Sequence, residues 1–466
     1  MTPTIELIDR YTVKAKTVST LHIGTGDKEL NGILVHPVTD MPFIQASSLA
    51  GVLRSASENV NGTRTTSKLF GSAHLDADDS AGDIGSRVRI SDGVFDSKTI
   101  KIEYRPRVKI SRKTGSVSHG KVSGSGETAG HKFDMEMIGA GAELFFTIYL
   151  SHNGHDCLCE ALENVLAECS SGRVRFGGQK SNGSGILDIQ KVYRRSFVLT
   201  DEEDRIAWSK EKLPAVLAFY EEQCDDPACC LLQFDTRKGS SSSICYEMNI
   251  AAKTEGALLV KGISADAFGP GAADAENMRN TKNEYIVPGS SLKGALRNRM
   301  ELLAGMLGKQ ALISLIFGKS TEEKEKGRGN LLVQDVVVCG PGGDALDLLQ
   351  HRIHVDKFTG GVIHSGLFAE KTVSGNLSMH IDIENRNNPD ATAGLLVLAL
   401  RDLAAGVFNL GSGYSVGRGF IQVDLLQLKS VEDGKIAEID FHSGTIKDAD
   451  DLFTRCLQAV ENWEEG

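Results

Sequence analysis

Ser290-Ser291-Leu292-Lys293-Gly294-Ala295-Leu296-Arg297 sets two hydroxyls at the head of a helical run and two cations four residues apart. Serine is a good N-cap, the N–H groups and macrodipole of a helix start attract anions, and residues four apart share a face. The pattern predicts a phosphate cradle. Alone it would equally describe a serine-capped helix with solvated cations. The preceding Pro288-Gly289 and the recurrence as Ser47-Ser48-Leu49-Ala50-Gly51-Val52-Leu53-Arg54 weigh toward the cradle. A second pattern, Gly411-Ser412-Gly413 through Arg418-Gly419, shares the frame G-x-x-x-S-x-G-x-G with Gly177-Gly178-Gln179-Lys180 through Gly185. Such loops suit backbone passing close to a polymer, or a tight turn between helix and strand. No G-x-x-x-x-G-K-[S/T] occurs, so nucleotide hydrolysis has no support.

Lys101 to Lys132 holds eight Lys/Arg and two Glu among Gly and Ser, including Arg105, Arg107, Lys109, Arg112 and Lys113. In a chain of formal charge −11, a basic segment of this kind predicts local attraction of a polyanion, although charge runs are often only solvated. The corresponding place further on, His351-Arg352-Ile353-His354-Val355-Asp356-Lys357 and Gly361 to Phe368, carries charges and apolar residues suited to wedging.

These patterns require elements to hold them, and the elements come twice. The two Ser-Ser blocks lie 243 residues apart, each is followed by Phe-Gly (Phe70-Gly71 and Phe317-Gly318), and the glycine frames follow in the same order. The chain of 466 residues exceeds the roughly 250 to 300 residues of a single core. A tandem duplication is predicted: first domain 1–200, linker 201–244, second domain 245–425, and an acidic extension 426–466. Alternating strands open each copy at Tyr11 and Tyr246. Helices are predicted at the Ser-Ser blocks, Asp156 to Cys169 and Thr392 to Ala405. Strands and helices intersperse without regular βαβα alternation, so the fold class is α+β, built on the β-α-β-β-α-β ferredoxin-like unit.

With 41% hydrophobic and 24% charged residues, the composition is that of an ordinary globular protein, which excludes wholesale disorder and coiled-coil or collagen-like architecture. No apolar run approaches the ~20 residues of a membrane span, and no basic-then-apolar leader opens the chain. A cytoplasmic protein without membrane attachment is expected. Nine cysteines at irregular spacing read as reduced thiols. Cys157, Cys159 and Cys169, or Cys224, Cys229 and Cys230, lack the paired knuckles of a zinc site.

The order I-V-P-G-S-S-L-K-G-A-L-R (Ile286–Arg297), F-G, H-V-D-K-F-T-G-G-V-I-H-S-G-L-F-A-E (His354–Glu370) and late glycine loop resembles the RAMP superfamily. It is similar in particular to the repeated backbone subunits of type III CRISPR effector complexes, and two fused units resemble the III-D arrangement. The resemblance implies two RRM-like, ferredoxin-like domains with β-hairpin thumbs, at 102–135 and 352–370, and a filament with other effector subunits. It implies guide crRNA held through Ser47, Ser48, Arg54, Arg105, Arg107, Lys109, Gly177, Gly178 and Lys180. In the second copy the corresponding residues are Ser290, Ser291, Lys293, Arg297, Arg352, His354, Lys357, Gly411, Ser412 and Arg418. It also implies an endoribonuclease that cuts complementary target RNA with an Asp in the loop before the Ser-Ser block, assisted by a divalent cation, Mg2+. Of Asp266, Asp274, Glu276 and Glu284, Asp274 fits the position. The first copy offers Asp27, with Gln45-Ala46 in place of Pro-Gly and Ala50 in place of the lysine.

Three other readings remain open on sequence. A purely structural guide binder would carry the same motifs without a working acid. A guide-precursor processing nuclease would need a histidine acid or base, for which His22 is the candidate. A small-molecule phosphate binder needs one pocket rather than two separated tracks.

Overall fold

The computed structural model describes residues 6–25, 32–72, 85–108, 110–111, 119–121, 128–130, 132–154, 157–211, 217–234, 243–263, 272–319, 327–340 and 342–464. It divides into two compact units. One comprises Met1–Ile102, Met137–Lys180 and Ser184–Ser243, the other Glu103–Glu136, Ser181–Gly183 and Ile244–Gly466.

In the first unit, Leu7–Thr17 pairs antiparallel with Leu187–Val198 on one side and Glu143–His152 on the other, and Glu143–His152 then pairs with Val88–Ile90 and Gly93–Phe95. With helices Ala46–Phe70 and Leu158–Ser170 in the connections, this is β-α-β-β-α-β with spatial order last, first, third, second. Tyr11, Val13 and Ala15, the alternating residues of the first strand, enter a core with Leu49 and Leu53 of one helix and Leu162, Val165 and Leu166 of the other. The second unit repeats the scheme. Ile244–Glu255 lies between Phe420–Ser430 and Asn376–Glu384, the latter pairing with Leu331–Val333 and Val336–Cys339. Helices Gly289–Met306 and Pro389–Ala404 supply its core. The α+β expectation holds in both copies.

The two first strands differ in what covers their polar face. In Ile244–Glu255 the odd residues Glu247, Asn249, Ala251 and Lys253 are half-buried or exposed, as an alternating strand open to water requires. In Leu7–Thr17 the residues of the corresponding face, Arg10 and Thr12, are buried. Their cover is the stretch read from sequence as a linker. Its helices Glu202–Lys210 and Leu217–Cys224 and strand Cys230–Leu232 fold onto the first sheet, the strand extending it beside Leu187–Val198. Arg10 pairs with Glu211 at 2.5 Å and Asp226 at 3.2 Å, and Thr12 Oγ1 donates to Gln223 Oε1 at 3.0 Å. Two of its acids, Glu211 and Asp226, thus form an ionic seat, while Asp201, Glu202, Glu203, Glu221, Glu222 and Asp225 are exposed.

The C-terminal residues expected to form an appendage are likewise built in. Phe420–Ser430 runs through the predicted boundary at 425, Ile436–Asp440 and Thr445–Lys447 widen the second sheet, and Leu452–Glu461 buries Leu452, Phe453, Cys456 and Val460 in the core. Gly394 lets this helix approach: a Cβ there would lie 2.2 Å from the Cys456 carbonyl oxygen. Gly394→Ala is expected to cost about 1–3 kcal/mol by overpacking, measured as a lowered denaturant midpoint; an unchanged midpoint would show that the last helix docks elsewhere.

Candidate nucleic-acid interface

Each Ser-Ser block begins a helix, as predicted, but its first amide is already taken. Ala46 N–H donates to Asp92 Oδ1 at 2.7 Å and Gly289 N–H to Asp335 Oδ1 at 2.8 Å. Asp92 and Asp335 are themselves 243 residues apart, so the capping carboxylate is part of the duplication. Ser48 N–H and Ser291 N–H turn back to the carbonyls of Gln45 and Pro288, both at 2.9 Å. The cradle is thus narrower than the sequence implied: a carboxylate already satisfies part of the positive helix end. Ser47 and Ser48 remain exposed and Ser290 and Ser291 half-buried. Arg54 and Arg297 are half-buried, bridging to Glu58 at 3.4 Å and Glu301 at 3.0 Å one turn on.

Lys293 departs further from expectation. It is buried, donates from Nζ to the Leu331 carbonyl at 2.8 Å, and lies over the Phe317 ring beside Arg297, which stacks on the same ring. Burial, then the neighbouring Arg297 and Arg328, pull its ammonium down to about 7. Loss of hydration disfavours the charged form. It is an internal brace, not a surface contact.

In the second unit the late glycine loop, the thumb and the acid-bearing loop meet at Glu370. The hairpin is longer than predicted, Leu346–Val355 against Val362–Ser374. Ala275–Glu276 pairs parallel with Glu370–Lys371, which seats Asp274 against Ala369. The Asp274 N–H donates to the Ala369 carbonyl at 2.8 Å and the Ala369 N–H returns to Asp274 Oδ2 at 2.7 Å, while the residue remains exposed. Next to it, the buried Glu370 collects Arg418 at 2.5 Å, Arg352 at 3.1 Å and Lys261 at 3.6 Å. Burial works to raise the Glu370 pKa, and Arg418 and Arg352 outweigh it, holding the carboxyl below its ordinary value. Arg418, expected to face RNA, is buried with its second nitrogen on Gln350, and Arg352 also lies over Phe368. Glu276 bridges Arg279 at 2.9 Å and Lys371 at 3.9 Å.

Gly411 has φ +77 and Gly177 φ +70; a Cβ would fall 2.5 Å from the Leu259 carbonyl oxygen in one and 2.4 Å from that of His22 in the other. Both glycines serve close passage of the chain's own backbone. Ser412 is tied to the Leu259 carbonyl through N–H and Oγ, and Gly178 N–H to that of His22. Lys180 is half-buried in a short 3-10 turn.

Of the basic segment, Ile102–Val108 pairs with Lys132–Ile138 and His119–Lys121 with Thr128–Gly130. Arg105 is buried in a pair of carboxylates, Glu103 at 2.6 Å and Asp335 at 2.5 Å, so it braces the helix cap instead of meeting a polyanion. Burial and Arg105 pull the half-buried Arg107 down to about 10. His354 and Lys357 are exposed on the second hairpin, as a contact surface requires. At its tip Asp356 Oδ1 accepts the Phe358 and Thr359 N–H groups, an Asx turn that leaves Phe358 98% exposed. Asp27, Asp266, Lys109, Arg112 and Lys113 lie outside the described residues.

Among the described residues, one cluster has the ligand types of a metal site, Asp9, His152 and Cys159. Its own bonds close it. Gly154 N–H donates to His152 Nδ1 at 3.1 Å, which assigns the proton to Nε2, and Nε2 donates to Asp9 Oδ2 at 3.0 Å. Arg194 already neutralises Asp9 at 2.8 Å, and burial with Asp9 pushes the Cys159 thiol up to about 12. The cluster joins the ends of two strands to a helix.

A family model of the RAMP superfamily matches residues 14–188 and 252–422, one match in each β-α-β-β-α-β unit and together well over half the chain. The chain belongs to the RAMP superfamily. Its tandem RAMP regions place it among CRISPR-associated RNA-binding proteins, whose members hold guide RNA within multi-subunit complexes. No curated protein matches the chain. Among the described residues no helix of this RAMP protein is long and apolar enough to cross a membrane.

Proposed function

We propose that the protein is a guide-RNA-bound backbone subunit of a type III CRISPR effector complex whose second copy cuts the target strand beside Asp274. The observation that carries this reading is the placement of Asp274: exposed, locked to Ala369 by two reciprocal bonds, and next to the Glu370 cluster at the root of the long hairpin. An acid held this firmly can address a phosphate with little reorganisation. The target supplies its own nucleophile. Its 2′-oxygen bonds to the adjacent phosphorus, the 5′-oxygen leaves with a proton, and a cyclic phosphate results.

A single exposed carboxylate suits a hydrated Mg2+, which prefers oxygen ligands and keeps several waters; Glu276 and Glu370 are occupied by cations and are not offered. Bound there, the ion would supply positive charge against the phosphate. Asp274 would hold it, the Glu370 cluster, three cations around one carboxylate, leaves net positive charge at the same edge, and exposed Phe358, with the Ile353–Leu367 pair on the hairpin, wedges the guide–target duplex. Unstacking costs a few kcal/mol per step and is offset by backbone contacts.

The test is to load the protein with guide, add labelled RNA or DNA target, and map cuts. RNA is expected to be cut at fixed positions and the DNA copy bound but intact. Cutting of DNA would remove the 2′-hydroxyl from the mechanism, and binding without any cutting would favour the purely structural subunit. Phe358→Ala is expected to leave guide binding within about twofold, because a tip side chain adds no phosphate contact, and to reduce cutting; unchanged cutting would discard the wedge.

A further inference from the structure

A hollow of about 310 Å³ lies beside the start of the first copy's Ser-Ser helix, lined by Ala46, Ser47, Ala50, Arg54, Phe70 and Val88 among others. The second copy shows what this space holds elsewhere. Ala50 and Lys293, Arg54 and Arg297, and Val88 and Leu331 each stand 243 residues apart. In the second copy the Lys293 side chain fills the equivalent place, its ammonium against the Phe317 ring and the Leu331 carbonyl. With alanine at position 50 the brace is gone, and the surrounding groups are self-sufficient: Ser86 Oγ donates to the Val88 carbonyl at 2.8 Å. The hollow is left with an apolar floor, the half-buried Phe70 ring, and a polar mouth formed by exposed Ser47 and by Arg54.

We infer that this hollow seats one nucleobase of a bound RNA strand, stacked on Phe70, with its phosphate at Ser47 and Arg54. The inference rests on the proposed RNA-binding reading and adds to it a base-accepting subsite present in the first copy and filled by lysine in the second. The volume is at the small end of ligand pockets, which admits one ring system and its sugar. The chemistry is that of single-strand recognition: an aromatic face for a base and a cation for its phosphate, neither depending on base identity. A cationic ligand would face Arg54, and a purely apolar one would waste the polar mouth.

The test uses the full chain, an eight-residue uridylate RNA, and an abasic ribose-phosphate octamer of equal charge, read by fluorescence anisotropy. The wild type is expected to bind the uridylate more tightly than the abasic strand. Ala50→Leu, which fills the hollow without charge, should weaken uridylate about tenfold, as expected for loss of one stacked base, and leave the abasic octamer unchanged. Ala50→Lys, with the side chain the second copy carries there, should also weaken uridylate despite the added positive charge. Equal effects of each variant on both octamers, or a gain with lysine and no effect of leucine, would overturn the base subsite while leaving phosphate binding intact. Failure of the wild type to bind either octamer would overturn both readings.

Discussion

Asp274→Asn is expected to abolish one set of target cuts, by on the order of a hundredfold or more as for loss of a positioned acid or base, while guide assembly is unchanged. The amide is nearly isosteric and retains a carbonyl oxygen that can accept the Ala369 N–H, and the return bond from the residue 274 N–H to the Ala369 carbonyl is a main-chain contact. The loop therefore keeps its seat, and what disappears is the negative charge. Asp274→Ala removes charge and anchor together. If cutting needs only the charge, the two variants fall equally. A deeper loss in alanine, accompanied by weaker target binding, would assign part of the effect to the anchor. Chelation of divalent ions should erase the same cuts in the wild type. Retained cutting in Asp274→Asn would remove the carboxylate from the chemistry.

Among the described residues the second copy brings its candidate site residues together, and its pairing shows how. Asp274 is placed by the parallel pair Ala275–Glu276 with Glu370–Lys371, so the acid loop, the hairpin root and Arg418 of the glycine loop share one carboxylate neighbourhood. Glu370 draws three cations to it, and each comes from a different part of the chain: Lys261, Arg352 and Arg418.

The duplication, the α+β class and the starts of the Ser-Ser helices were legible, because each is written in local periodicity or in the constant spacing of 243 residues, whereas the second hairpin was implied only by the family resemblance and is longer than the implied 352–370. The fate of the cations was not. Arg105, Lys293 and Arg418 stand in motifs that read as phosphate contacts, and each is neutralised or braced internally by a partner remote in sequence: Asp335 for Arg105, the Leu331 carbonyl for Lys293, Glu370 for Arg418. A local pattern records the charge but not the carboxylate or carbonyl that folding brings to it. The segment 201–232 escaped for a related reason, since it docks through single residues, Tyr220 and Trp208 beside the Arg10 ion pairs, and lacks the apolar period that marks a core helix. The Asp92 and Asp335 caps, by contrast, carried a signal: Ile90-Ser91-Asp92-Gly93-Val94 and Val333-Gln334-Asp335-Val336-Val337 align at the same spacing as the helices they cap.

Lys293 supplies the largest expected effect on stability, and its sign follows from the direction of its shift. The unfolded chain holds the proton up to the usual lysine value of 10.5, whereas the folded chain releases it at about 7. Between those values the unfolded state binds more protons, so stability rises with pH; below about 7 both states are protonated and the dependence ends. Each pH unit in that window is worth about 1.4 kcal/mol. Lys293→Met keeps the apolar stem over Phe317 and removes the titrating group, so its stability should stay flat where that of the wild type climbs. Denaturant unfolding of both proteins at pH 7, 8 and 9 is expected to show the gap moving in favour of lysine by about 1 kcal/mol per unit. Parallel profiles would mean that the ammonium stays charged on folding. The consequence for RNA is direct: near pH 7 this lysine carries only part of a charge, so Lys293→Met should alter the salt dependence of guide binding by less than the single counterion expected for a surface phosphate contact.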